Sequence, residues 1–284
     1  MRVFSAAFTN RPQSAKVRRQ TTTDSSHNRE FEMNLIKIMQ AVVFAVLAAG
    51  TPASADVIKS GATATGVPFN FLDPKTNTMS GFMLDIANEV AKRGGFEFDL
   101  QTVDFASLVP ALQSRRIDII TSSFSITEER SKVVDFAEPI YSFHQGLLVP
   151  AGNPKSLANY DDMKAAKIGT NIGNSAIAAG RKHDINFEQY SSIQDALRDL
   201  SLGRIDAAMV DMPIADWIMS ANSDYKMEWV EGFEPFFTEY YTFSVRKGDT
   251  ELLARVNPIL AQIKTDGTLA ELIKKWGISV QIAP

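Results

Sequence analysis

The chain has 284 residues, of which 45% are hydrophobic, 10% aromatic and 22% charged, enough apolar material for a sizeable core and too much for a disordered polymer. It has no cysteine, which excludes disulfide frameworks, thiolate nucleophiles and cysteine-based metal sites. Its three histidines (His27, His144, His183) are too scattered for a metal cluster, and a net charge of −4 argues against a nucleic-acid partner.

The first element in the chain is an apolar run that starts with Leu35, Ile36, Ile38 and Met39 and continues over Ala41–Ala49, with Lys37 as the positive charge ahead of its main part, followed by Gly50-Thr51-Pro52 and Ala53-Ser54-Ala55. It is shorter than the roughly 20 residues a membrane span requires. The small-x-small ending predicts a secretory signal over 33–55, cleaved after Ala55 to leave Asp56 as the mature N-terminus and a periplasmic product. Residues 1–32 are then expected to be an extension upstream of a true start at Met33. The rival reading is an organellar transit segment, because residues 1–29 are rich in Arg, Ser and Thr with only Asp24 acidic.

From residue 56 onward, strand and helix patterns alternate. Val57-Ile58 opens an extended segment, and 82–93 carry Phe82, Ile86, Ala87 and Val90 at helical spacing before Gly94-Gly95. Residues 96–103 alternate as a strand, 105–114 read as a helix and 117–121 as a short apolar strand. Strands follow at 167–169 and 205–210, with helices at 192–202, 211–220, 249–265 and 267–276. Such alternation predicts α/β architecture with mostly parallel sheets.

Two stretches resemble each other. Leu112–Ser123 aligns without gaps against Leu200–Asp211, 88 residues later; in each an amphipathic helix passes through Arg-Ile-Asp into an apolar strand that stops at polar residues. Any helix–turn–strand unit shares something of this pattern, but two equivalent units suggest two similar lobes. Ligands of open α/β sheets bind beyond the carboxyl ends of the strands, so Ser122, Ser123 and Asp211 are expected to meet across one cleft.

The residues at these ends suit a zwitterion. After Ser125, Thr127 is a good N-cap and Arg130 sits in the following helical turn, where its guanidinium with hydroxyls and free N–H groups can hold a carboxylate. The alternative is a surface pair with Glu128, Glu129 or Asp135. Opposite stand Asp211 and the turn Gly169–Ser175, which includes Asn171, Asn174 and Ser175 and fits neither a dinucleotide nor a P-loop motif, so no cofactor is expected. Asp211 could instead only cap the next helix. An arginine facing a carboxylate matches both ends of an α-amino acid, whose charges need opposite partners once desolvated. Phe105 is either a flat wall for the ligand or plain core.

The mature region resembles the periplasmic polar-amino-acid-binding proteins, the family 3 solute receptors of ABC importers. The resemblance is carried by Gly81–Ala87, Val103-Asp104-Phe105, Pro110–Ser114, Ile117–Ile120, Ser125–Ser131, Val134–Tyr141, Val245–Asp249, Lys264–Thr268 and Lys274-Lys275-Trp276, in that order. It implies a type II periplasmic binding fold: two Rossmann-like α/β lobes, 56–140 plus 242–284 and 146–236, joined by two crossover strands near 141–145 and 237–241. It implies that Arg130 holds the ligand α-carboxylate, helped by Ser125 and the Asn174-Ser175 turn. Asp211 and Ser123 would take the α-ammonium group, Phe105 would pack on the side chain, and Asn171 would contact its distal part. Thr63 stands where members often carry an acid and Gly66 where they carry an aromatic, which disfavours a cationic ligand side chain and widens the pocket.

The implied partners are an amino-acid ligand or derivative and an inner-membrane ABC permease, with the receptor a monomer. The alternative is a lyase on the same scaffold, similar to periplasmic cyclohexadienyl dehydratases, for which Glu239 is the one conceivable acid; no second acid or base stands out beside it.

Overall fold

The computed structural model describes residues 56–279 and residue 283; the expected signal segment 33–55, its cleavage point and the extension 1–32 lie outside them. The strands, in chain order, begin with β1 (Asp56–Ala62), β2 (Thr65–Gly66), β3 (Asn70–Asp73), β4 (Thr78–Ser80), β5 (Phe96–Thr102) and β6 (Ile119–Ser125). Then come β7 (Val134–Phe136), β8 (Tyr141–Phe143), β9 (Gln145–Pro150), β10 (Ile168–Asn171) and β11 (Phe187–Tyr190). β12 (Ala207–Asp211), β13 (Met227–Trp229) and β14 (Glu239–Arg246) complete the series.

Two sheets carry the fold, in the orders β5-β1-β6-β14-β7, with β8 also on β14, and β11-β10-β12-β9-β13; β2, β3 and β4 form a small third sheet. The main sheets are mixed rather than mostly parallel. β5, β1 and β6 run parallel, as do β11, β10 and β12, but β14 and β9 run antiparallel to their neighbours. The reason is connectivity: the chain leaves the first sheet at β8 and enters the second at once as β9, and it returns late as β14, so each sheet receives a strand arriving from the other.

The expected helices form with small shifts. The helix Phe82–Gly94 buries Phe82, Met83, Leu84, Ile86, Ala87, Val90 and Ala91 on one stripe, as its spacing predicts. Residues 105–114 split into a 3₁₀ turn, Phe105–Ser107, and a helix, Leu108–Gln113. This placement puts Pro110 in the first turn of the helix, where a missing N–H does no harm. The strand expected at 117–121 runs instead over Ile119–Ser125, because Phe124 and Ser125 still pair with Thr242 and Tyr241 of β14.

The internal repeat is a repeat of architecture. β6 and β12 hold the same place, each with a parallel neighbour on one side and an antiparallel one on the other. The Arg-Ile-Asp residues act alike in both. Asp118 Oδ2 accepts from the Lys59 amide at 3.1 Å and Asp206 Oδ2 from the Lys167 amide at 2.9 Å, tying each turn to the neighbouring strand. Ile117 and Ile205 are both buried against a glycine of that strand; a Cβ on Gly61 would lie 2.5 Å from Ile117 Cδ1, and one on Gly169 2.6 Å from Ile205 Cδ1. A larger residue at either position would force the isoleucine to move.

Where the two sheets join, β8 pairs with β14, setting Glu239 opposite Phe143 and Tyr241 opposite Tyr141. Buried rings lock this junction: Phe69 lies 4.9 Å from Tyr241 and 5.2 Å from Tyr141, and Phe143 lies 4.1 Å from Tyr241 between centroids. Among the described residues, no helix is long and apolar enough to cross a membrane.

Candidate functional site

The carboxyl ends of β6, β10 and β12 converge on one cavity of about 30 Å³. Its first wall is made of Thr63, Thr65, Gly66, Phe105, Ser123, Ser125 and Arg130, and its second of Asn171, Asn174, Ser175, Ser191, Ser192, Ile193, Asp211 and Ile214. Arg130 and Asp211 are the only ionisable residues in this lining.

Arg130 is placed by a short helix, Glu128–Ser131, whose N-cap Thr127 accepts the Arg130 amide through its hydroxyl at 3.2 Å. Its guanidinium donates to the Ser125 carbonyl at 2.7 Å and, across the cleft, to the Gly173 carbonyl at 3.0 Å. The same group lies 4.0 Å from the centre of the Phe124 ring and 5.5 Å from that of Phe105. Two of its three surface alternatives are occupied, Glu128 by Lys132 and Asp135 by Lys247. Burial pushes the guanidinium down to about 10, against the pull of the Glu239 and Asp211 charges, so it stays cationic at neutral pH.

Asp211 occupies the N-cap position of the helix Met212–Ala221 but makes no side-chain cap bond. Its carboxylate instead accepts from the Tyr241 hydroxyl at 2.5 Å, Gln145 Nε2 at 3.1 Å and Asn174 Nδ2 at 3.4 Å. Burial raises its carboxyl above the usual range, while these donors and Arg130 oppose the rise. Gln145 Nε2 also donates to Ser175 Oγ at 2.8 Å, and that hydroxyl donates to Glu239, 2.8 Å from either carboxylate oxygen. Burial, reinforced by the charge of Asp211, pushes Glu239 up to about 7. Glu239 therefore does not stand alone, contrary to expectation: a second acid shares its network. The sequence hid this because Asp211 and Glu239 approach only through the junction of β14 with the second sheet.

Of the residues singled out by sequence, Thr63, Phe105, Ser123, Ser125, Arg130, Asn171, Asn174, Ser175 and Asp211 line the cavity. Ser122 is a correction. β6 continues through Ser125, so its side chains alternate: Ser123 and Ser125 face the cavity, and Ser122 turns away, its Oγ accepting from the Thr63 amide at 3.4 Å. Phe105 is half-buried and lines the cavity, its ring tilted at 48° to that of Phe124 with 5.8 Å between centroids. Sequence reading missed Thr65, Ser191, Ser192, Ile193 and Ile214, and behind the wall it missed Asn70, which accepts from the Ser123 amide at 2.7 Å and donates to the Thr63 carbonyl at 2.8 Å. Ser191-Ser192 could have been found had the short, largely polar strand β11 been recognised, since it ends at Tyr190 on the same sheet edge.

Two similar α/β halves around one polar cleft, with an arginine on one wall and a carboxylate on the other, define a type II periplasmic binding fold of the ligand-receptor class. Residues 58–279 match the bacterial extracellular solute-binding proteins, family 3, and the chain belongs to that family. The chain is 31% identical over 218 residues to the L-cystine-binding protein TcyJ of Escherichia coli, covering 76% of this chain and 80% of that one. It is 33% identical over 215 residues to the ABC transporter glutamine-binding protein GlnH of Bacillus subtilis, covering 73% and 76%. Among solved structures, an ancestral arginine-binding protein bound to arginine is similar, with a TM-score of 0.71 and 32% identity over 78% of this chain and 97% of that one. These relatives are described as binding proteins, not enzymes.

Proposed function

We propose that this protein is the receptor of an ABC importer for an α-amino acid or a derivative. The observation that carries the reading is the pairing of Arg130 and Asp211 as the sole ionisable residues facing each other across the cavity. In this reading Arg130 takes the α-carboxylate with Ser125 and the Asn174-Ser175 turn, and Asp211 with Ser123 takes the α-ammonium group. Phe105 packs on the side chain and Asn171 meets its distal part. The lobes are 56–140 plus 242–284 and 146–236, hinged near 141–145 and 237–241. The protein is exported to the periplasm after cleavage behind Ala55 and delivers its ligand, as a monomer, to an inner-membrane permease.

The mechanism is a population shift. A cavity of about 30 Å³ is too small for an amino acid, so one enters when the walls separate. Separation breaks the bonds that cross the cleft, from Arg130 to the Gly173 carbonyl and from Gln194 to the Thr65 carbonyl. A zwitterion that grips both walls replaces them and favours closure, whereas a ligand held by one wall would shift nothing.

The test is a thermal-shift screen of the purified protein against α-amino acids. A ligand at 100 times its Kd should stabilise by about 2.7 kcal/mol. That rise should vanish in both Arg130→Ala and Asp211→Ala; a rise that survives both substitutions would overturn the site.

A further inference from the structure

We infer that the ligand carries an uncharged side chain able to both donate and accept hydrogen bonds, of the amide or hydroxyl class; this rests on the α-amino-acid reading above. With Arg130 and Asp211 engaged by the α-groups, the remaining cavity wall offers no charge. It offers hydroxyls and one amide: Thr63 and Thr65 from the first loop, Ser191 and Ser192 at the end of β11, and Asn171 at the end of β10.

The bonds these groups already make show what is left for a ligand. Thr63 Oγ1 and Thr65 Oγ1 lie 3.1 Å apart, so one hydroxyl hydrogen is engaged between them and the other is free to turn to a ligand acceptor. Ser191 and Ser192 both donate to Asp195 Oδ2, at 2.7 and 2.8 Å, which leaves oxygen lone pairs for a ligand donor. Asn171 Oδ1 accepts from Asn174 at 2.9 Å, which leaves its N–H₂ as a donor. The carboxylate behind the serines, Asp195, is not part of the lining and is ion-paired with Arg198 at 3.0 Å. A cationic or anionic side chain would find no partner of opposite sign in this lining. A wholly apolar one would leave these polar groups unpaired.

The test is to measure dissociation constants calorimetrically for glutamine, asparagine, serine, threonine, leucine, arginine, lysine, aspartate and glutamate, with the wild type, Arg130→Ala and Thr63→Asp. An amide or hydroxyl amino acid should bind at least tenfold tighter than any charged one or leucine. Thr63→Asp should improve arginine or lysine at least tenfold relative to that best ligand. Tightest binding of arginine, lysine, aspartate, glutamate or leucine by the wild type, abolished by Arg130→Ala, would overturn this inference and leave the receptor reading intact. Binding of no α-amino acid would overturn both. The wild-type ranking decides by itself if Thr63→Asp does not fold.

Discussion

Glu239 is only 2% exposed, hydrogen-bonded to the Ser175 hydroxyl and close enough to Asp211 for the two negative charges to oppose each other. Its carboxyl titrates near 7 in the folded protein against 4.5 for the ordinary group. Between those values the folded state holds a proton that the unfolded state has released, so stability is fully present below about pH 4.5 and falls as pH rises through 7. The difference corresponds to at most about 3 kcal/mol, and Asp211, also raised, acts in the same direction. Glu239→Gln keeps a group of the same shape and removes the titration. Urea unfolding at pH 5, 6, 7 and 8 should show a shallower decline for the variant; equal slopes would place the titration elsewhere.

At the level of the element, the two Arg-Ile-Asp units differ at one informative position. The residue just beyond the C-cap of each preceding helix has a left-handed backbone, at φ 66° for Gly203 and at φ 62° for Arg115. Both amides bond back to the leucine three residues earlier, Leu200 and Leu112. Arginine at such a φ is strained by about 1–2 kcal/mol, and glycine offsets part of the gain through unfolded-state entropy of about 0.5–1 kcal/mol. Arg115 is exposed, so little packing is lost. Arg115→Gly should therefore stabilise by about 0.5–1 kcal/mol, a rise in Tm of roughly 1–4 °C by calorimetry. A fall in Tm would show that the arginine makes contacts in solution worth more than the strain.

For the molecule as a whole, the proposed closure would rest on the aromatic junction and on the bonds that cross the cleft. Phe69, Tyr141, Phe143 and Tyr241 are all 1% exposed or less, so the junction of β8 with β14 is tightly packed and would serve as the pivot of the proposed closure. Across the opening, Gln194 Nε2 donates to the Thr65 carbonyl at 3.0 Å without being among the residues that line the cavity. In the proposed closure it would act on the closed state alone. Gln194→Ala should weaken ligand binding about two- to tenfold, the equivalent of one hydrogen bond of about 0.5–1.5 kcal/mol. The change should fall mainly on the dissociation rate in stopped-flow measurements. An unchanged rate would show that this contact does not hold the lobes together.

What the sequence determined by itself is whatever depends on neighbours along the chain. The α/β alternation, the duplicated Arg-Ile-Asp unit, the Thr127 cap that aims Arg130, and the polar strand end at Asp211 are all written in local spacing. The tertiary structure decided the rest, because the relevant partners lie far apart in the chain. Whether β6 ends at Ser123 or Ser125 depends on pairing with β14, more than 110 residues later, and that pairing decides that Ser122 faces away from the cavity. The contacts of Asp211 with Tyr241 and of Ser175 with Glu239 exist only because β14 returns to the junction. The sheets are mixed for the same reason: residue spacing sets a strand's faces, but the path of the chain between the two halves sets its direction.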